Sequence, residues 1–446
     1  MRADEKSLYG RHLDFLDRVL AEALASSSFE AVLFHAGRDA NYFADDQTIP
    51  FRATPHFRRY VPLTGPDHSV LARPGHRPRV IRVAPKDFWY ETLPLEPSYW
   101  QDHVDLVEVD DVAGIKEALG PQTRVAYVGP SAEFAATLGI ADTAVQPQPL
   151  LSILDWHRAT KTEHELRLIE IACRRGADGH RVARKAFESG GSERQIHWAY
   201  LEATGHLEAE LPFEAIVARG SKIAILHYQN KRNDVSREPM SFMLDAGASC
   251  DGYASDITRT WFAEDSDAIY AVLVRGMDEL QRSLAAMVEP GRDYVSIQRE
   301  AHAGVARLLV EAGIARTSPE DAWARGLTRT FLPHGVGHHL GIQVHDVGGR
   351  QAGPAGGQVP PPPEFPALRT TRALEAGHVV TIEPGLYFAP VLLDSLRAKP
   401  ESSLIDWRLV ERLAPWGGVR IEDDVLCTEN GPRDLTRALI AGPRGM

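Results

Sequence analysis

The sequence predicts a two-domain α/β (α+β) chain: an α/β domain over residues 1–155 and a larger domain over 156–446, in which helices flank internally doubled β structure. Three observations carry that expectation. At 446 residues the chain exceeds one ordinary hydrophobic core. Short apolar runs alternate with helical periodicity through the first third. Beyond residue 156, two pairs of strand-like runs each bring acidic residues into apolar surroundings, Asp245 with Asp256 and Glu383 with Glu422.

The elements follow in chain order. Leu13, Leu16, Leu20, Ala23 and Leu24 keep helical spacing and predict an amphipathic helix over 8–24. Ala31 to Phe34 is a short buried strand. His68 to Val83 predicts two strands around Arg73-Pro74-Gly75, followed by strands at 104–109 and 124–128 and a helix at 112–119. Asn41 to Tyr60, with Asp45-Asp46 and Pro50-Phe51, is expected to be a long loop that serves a site or an interface. A boundary is expected around Trp156-His157-Arg158. After it, Thr162-x-x-Glu165 and Ser192-x-x-Gln195 have the form of capping boxes opening two helices. Two further helices are expected at 266–287 and 295–312, stopped by Pro290-Gly291 and Gly313. The strand pairs are 242–247 with 253–262, joined by Cys250-Asp251-Gly252, and 379–387 with 418–426. Gln351 to Pro366 holds nine Gly or Pro residues in sixteen and is expected to be a surface loop.

Composition narrows the function. The net charge of -12 argues against nucleic-acid or anionic-membrane partners, which need a basic face. No apolar run approaches the roughly 20 residues that span a bilayer, and the opening Met1 to Lys6 shows no signal peptide. Cys173, Cys250 and Cys427 are far apart and odd in number, as expected of buried thiols in a reducing cytoplasm.

The informative stretch is Pro333-His334-Gly335-Val336-Gly337-His338-His339-Leu340-Gly341, running on to His345-Asp346. Four of 18 histidines fall within twelve positions, among small residues that permit close approach of backbone and ligand. The four acidic residues are the second half of the argument, because a carboxylate is rarely buried without a partner or a metal. An imidazole with four carboxylates is an oxygen-rich donor set that suits a cation such as Mn²⁺ better than a structural zinc. Two divalent ions neutralise four carboxylates that would otherwise tend to take up protons. A water shared by such ions would have its pKa lowered toward about 7, giving a nucleophile for a carbonyl at neutral pH.

Leu244-Asp245-Ala-Gly, Ser255-Asp256-Ile-Thr-Arg-Thr, His334-Gly-Val-Gly-His338-His-Leu-Gly, Val344-His345-Asp346, Thr381-Ile-Glu383-Pro-Gly385 and Arg420-Ile-Glu422 together resemble the pita-bread metallopeptidases. Within these the chain is most similar to the bacterial-type prolidases (Xaa-Pro dipeptidases) and the related organophosphorus acid anhydrolases. The segment from Asp45-Asp46 to Val61-Pro62-Leu63 resembles the prolidase N-terminal domain. The resemblance implies a C-terminal pita-bread catalytic domain with a pseudo-twofold β-sheet. It implies that Asp245 holds one metal, that Asp256 and Glu422 bridge both, and that His338 and Glu383 complete the second, with Glu383 also acting as base. His227, His345 and His334 resemble substrate and transition-state histidines. Arg420 would brace the site, Tyr387 would stand beside the substrate, and Arg369 matches the arginine that grips the free carboxylate of a dipeptide. The implied partners are dipeptides ending in proline and a second copy in a homodimer, to whose pocket Asp45 and Asp46 would reach, the alternative for these two residues being a solvated loop. Xaa-Pro aminopeptidase activity on longer peptides and phosphotriester hydrolysis in the same pocket are the alternatives.

Overall fold

A computed structural model describes residues 3–25, 27–89, 91–120, 124–234, 241–263 and 266–441; Met1 and Arg2 of the charged opening lie outside them. The chain divides into two compact units, one comprising residues 1–167 and 352–357, the other 168–351 and 358–446.

In the first unit, the sheet order is Asp105–Val109, Arg79–Val83, Ser69–Ala72, Ala31–His35, Val125–Val128. Ala31–His35 is fully buried because it is flanked on both sides, antiparallel to Ser69–Ala72 and parallel to Val125–Val128. Side chains alternate between its two faces. Val32 and Phe34 pack with Leu16 and Leu20 of helix Ala3–Ala25 and Leu150 and Leu154 of helix Gln148–Arg158. Ala31 and Leu33 pack with Ile115 and Leu119 of helix Val112–Leu119. The expected loop over 41–60 is only partly a loop. Pro55–Tyr60 forms a short helix that Pro55 opens and Phe57 anchors in the core, a single turn and a half too brief to show periodicity.

Helix Glu163–Glu188 begins in the first unit and continues into the second, and its capping box is closed by Thr162 N–H donating to Glu165 at 2.8 Å and Glu165 N–H donating to Thr162 Oγ1 at 3.3 Å. The Ser192–Gln195 box is likewise formed at the start of helix Glu193–Thr204. Two three-stranded antiparallel sheets follow the doubling expected from sequence. One is ordered Ile257–Phe262, Ser241–Ala246, Ile216–Arg219, and the other Val379–Ile382, Asp423–Thr428, Gly431–Asp434. They meet where Glu422 N–H donates to Thr258 carbonyl oxygen at 3.0 Å. Helices Ala268–Ala285 and Tyr294–Glu311 share one core with strands Val379–Ile382 and Asp423–Thr428 of the second sheet. They approach closely through Gly276 against Leu308 and Gly304 against Leu280.

One correction bears on the site. The runs 379–387 and 418–426 are not continuous strands. The first breaks into Val379–Ile382 and Gly385–Tyr387, the second into Gly418–Arg420 and Asp423–Thr428. Glu383 and Glu422 sit in the breaks, and Asp256 sits just before strand Ile257–Phe262. Pro384, without an N–H, cannot continue a ladder. Interrupting the ladder frees these acidic residues from strict up-and-down alternation, so that they turn toward one point.

Candidate metal centre and active site

A cavity of about 550 Å³ lies within the second unit, lined by Asp245, Asp256, Glu383, Glu422, His227, His334, His338, His345, Arg369 and Arg420, together with Phe213, Glu214, Ile216, Leu226, Gln229 and Val344. Sites that take small ligands have roughly this size. Every expected site residue is therefore brought to one cavity except Tyr387, which is fully buried directly behind it. His339 turns away and stacks edge-on against His378, 4.7 Å between ring centres.

At the centre, ligand atoms of Asp256, His338 and Glu422 all lie within 4.8 Å of one another. All three residues are buried, with 5%, 3% and 2% exposure. His338 Nδ1 faces the carbonyl of His339 at 3.0 Å. A carbonyl only accepts, so Nδ1 carries the proton and the Nε2 lone pair is left pointing inward. It faces Asp256 Oδ2 at 3.4 Å and Glu383 Oε1 at 3.8 Å. Burial lowers the pKa of His338. A lone pair and buried carboxyl oxygens converging on one point is an arrangement that a cation completes.

The electrostatics agree. Burial, then the charge of Asp245, holds Asp256 well above the usual carboxylate range; burial, then Asp256, Glu383 and Asp245, does the same to Glu422. Burial pushes Glu383 up to about 7. Asp245 Oδ1 is buried without a hydrogen-bond partner. The residues present fit divalent cations: hard oxygen donors, one imidazole, and more negative charge than the protein itself neutralises.

Around the cluster the chain is tightly fastened. Thr258 Oγ1 donates to Glu422 Oε2 at 2.6 Å and receives Arg420 Nε at 3.2 Å. Arg420 also donates to Asp245 Oδ2 and, at 2.9 Å, to Tyr387 Oη. Tyr387 Oη lies 2.9 Å from His334 Nε2, while His334 Nδ1 donates to the Gly335 carbonyl at 2.9 Å. His334 Nε2 therefore accepts from the phenol, whose oxygen is already occupied by Arg420. Burial lowers His334 to about 4 and His345 to about 3, so both imidazoles are neutral at pH 7. The His345 ring stands edge-on to His338 at 4.5 Å.

Several supporting residues escaped sequence reasoning. Gln298, fully buried on helix Tyr294–Glu311, accepts from Val336 N–H at 2.7 Å and donates to the His334 carbonyl at 3.2 Å. Tyr294 Oη donates to the Thr381 carbonyl at 2.7 Å. Thr381 Oγ1 accepts from His338 N–H at 3.1 Å. Gly337, at φ 152°, brings the histidine loop against this strand; an added Cβ there would meet the Thr381 carbonyl oxygen at 2.0 Å. Thr258 and Thr381 stand inside the motifs that carry Asp256 and Glu383, which was a usable signal. Gln298 offered none, because a polar residue within a helical pattern does not announce what it faces.

Residues 167–429 match the metallopeptidase family M24, and residues 7–156 match the Xaa-Pro dipeptidase N-terminal domain. Xaa-Pro dipeptidases of Escherichia coli strain SE11 and of Escherichia fergusonii are each 39% identical over 437 residues, covering 97% of this chain and 98% of theirs. Among solved structures, Pseudomonas aeruginosa aminopeptidase PepP superimposes with a TM-score of 0.73 at 23% identity, covering 98% of both chains. Proline aminopeptidase P II from Yersinia pestis does so with a TM-score of 0.71 at 21% identity, covering 99% of this chain and all of that one. These likenesses show the fold, an N-terminal α/β domain followed by the pita-bread domain. From the family match and the near full-length dipeptidase relatives, the chain belongs to metallopeptidase family M24.

Proposed function

We propose that this chain hydrolyses the imide bond of Xaa-Pro dipeptides with two divalent metal ions, most readily Mn²⁺. The observation that carries the proposal is the convergence of Asp245, Asp256, His338, Glu383 and Glu422 on one cavity that also holds Arg369. The full-length similarity to proteins named Xaa-Pro dipeptidase supports the same substrate class. In this proposal Asp245, Asp256, His338, Glu383 and Glu422 would hold the ions.

When bound, the ions supply Lewis acidity and a water of lowered pKa; the protein's own groups do the rest. Arg369 takes the proline carboxylate through its fork of donors, which favours substrates that end one residue after the cut bond. Glu383 accepts the proton of the attacking water at its free carboxylate oxygen. His345 and His227 present N–H donors to the oxygen and nitrogen on which charge develops, and neutral His345 does so without a competing positive charge. His334 is held in one tautomer by Gly335 and Tyr387. Arg420 fixes Asp245, Thr258 and Tyr387 as a unit.

The proposal extends to a homodimer in the cytoplasm, with a 1–155 domain that serves dimerisation and substrate access, and with neither nucleic acid nor membrane as a partner. No helix among the described residues is long and apolar enough to cross a membrane. The test is release of the N-terminal alanine from Ala-Pro and from Ala-Pro-Ala by protein loaded with Mn²⁺ and by protein treated with EDTA. Release from the dipeptide alone, lost with EDTA, is expected. Absence of release with any divalent ion would overturn the proposal.

A further inference from the structure

Arg369, His338 and His345 line one cavity with Glu214. Strand register sets the place of Glu214 on its wall: Ile216 pairs with Asp245 in the antiparallel ladder, and Glu214 lies two residues upstream of Ile216. Glu214 is thus a charged group on the wall beside Asp245, within the cavity that would hold both residues of a dipeptide.

Glu214 carries a charge partner. Lys231 Nζ lies 3.1 Å from Glu214 Oε1, and the two side chains are 11% and 47% exposed, so the lysine is mostly covered and the carboxylate half open. Lys231 holds a left-handed backbone, φ 41°, a conformation that a non-glycine residue keeps only where the surroundings fix it. The surroundings do so here. Glu193, 1% exposed, accepts from Arg232 N–H at 2.8 Å and from Tyr228 Oη at 2.7 Å, pinning the segment on either side of Lys231. The same segment brings His227 and Gln229 to the cavity wall.

We propose that the Glu214–Lys231 ion pair selects by charge the residue that precedes proline. The inference rests on the dipeptidase function proposed above. Paired, the two groups present no net charge, so a cationic or an anionic side chain gains little over an uncharged one. Removal of Lys231 exposes a carboxylate and favours cationic residues. Removal of the Glu214 charge leaves the ammonium and favours anionic ones.

The experiment compares kcat/KM of the Mn²⁺-loaded enzyme for Lys-Pro, Leu-Pro and Glu-Pro in the wild type, Lys231→Gln and Glu214→Gln. Lys231→Gln is expected to raise the Lys-Pro to Leu-Pro ratio by about three- to fivefold, the scale of a part-exposed charge pair, and to lower the Glu-Pro to Leu-Pro ratio. Glu214→Gln is expected to do the reverse. The swapped double variant, Glu214→Lys with Lys231→Glu, is expected to return both ratios to within about twofold of wild type, and 0.5 M NaCl to shrink every shift. A structural role alone would not move the two ratios in opposite directions. Leu-Pro turnover with both ratios unchanged in both single variants would overturn the inference and leave the dipeptidase function standing. Absence of Leu-Pro turnover in the wild type would overturn the function itself, and the inference with it.

Discussion

When the divalent ions are stripped away, Asp256→Asn is expected to stabilise the protein, the reverse of what loss of a buried polar contact does elsewhere. Ligand atoms of Asp256 and Glu422 lie within 4.8 Å of one another. Two unit charges at that separation repel by about 3.5 kcal/mol at an effective dielectric near 20. Proton uptake relieves part of this, since burial already holds both carboxyls above their usual range. The remaining gain for the metal-free Asn variant at pH 8 is about 1–2 kcal/mol, or roughly 2–8 °C in Tm. With metal the sign inverts. A site filled at a thousandfold excess over Kd stabilises the wild type by about 4 kcal/mol, and an amide that replaces a ligand forfeits much of that. The assay is a thermal melt of both proteins in EDTA and in excess Mn²⁺. The argument is refuted if the Asn variant melts below wild type in EDTA and gains as much from Mn²⁺.

Three further outcomes are expected. Arg369→Ala should raise KM for Ala-Pro by roughly 10- to 100-fold, the worth of a charge-assisted contact, with metal content unchanged; an unaltered KM in steady-state assays would remove Arg369 from carboxylate recognition. His35, His164 and His180, each held by burial at about 3, and His302 at about 4, are neutral in the fold while their unfolded counterparts take up protons below about 6.5. Stability is therefore fully present above that pH and falls as pH drops toward 3–4, by about 1.4 kcal/mol per pH unit for each histidine. Urea midpoints of wild type and of His180→Gln, both in EDTA at pH 7.5 and 5, separate one such contribution from the opposite one of the raised acidic groups, and an equal pH dependence in the two proteins would contradict it. Gly304→Val should cost about 1–3 kcal/mol, because even a single Cβ there meets Leu280 Cδ1 at 2.2 Å; a Tm within 1 °C of wild type would show that the helix pair gives way freely.

Much of the site was legible because its chemistry is local in sequence. Asp245, Asp256, His338, Glu383 and Glu422 each stand in a short motif whose small or proline neighbours shape the backbone around a ligand, and all five reach the cavity. The capping boxes at Thr162 and Ser192 were legible for the same reason: each is closed within four residues. What sequence concealed is long-range or irregular. The breaks at Glu383 and Glu422 looked like continuous strands, since apolar flanks mask an interruption of the ladder. Gln298 reaches the histidine loop across 38 residues, and Lys231 reaches Glu214 across 17. Helix Pro55–Tyr60 hid inside a polar segment because one buried phenylalanine is too little pattern.

The central claim, that five converging side chains hold a pair of cations, is tested most directly by metal content. Protein purified without chelator, dialysed against Mn²⁺ and then against metal-free buffer, should carry two ions per chain by mass spectrometry. Glu422→Gln, which removes one of the proposed carboxylate ligands, should carry one or fewer. A wild type without bound metal, or a Glu422→Gln variant that keeps two, would contradict the account.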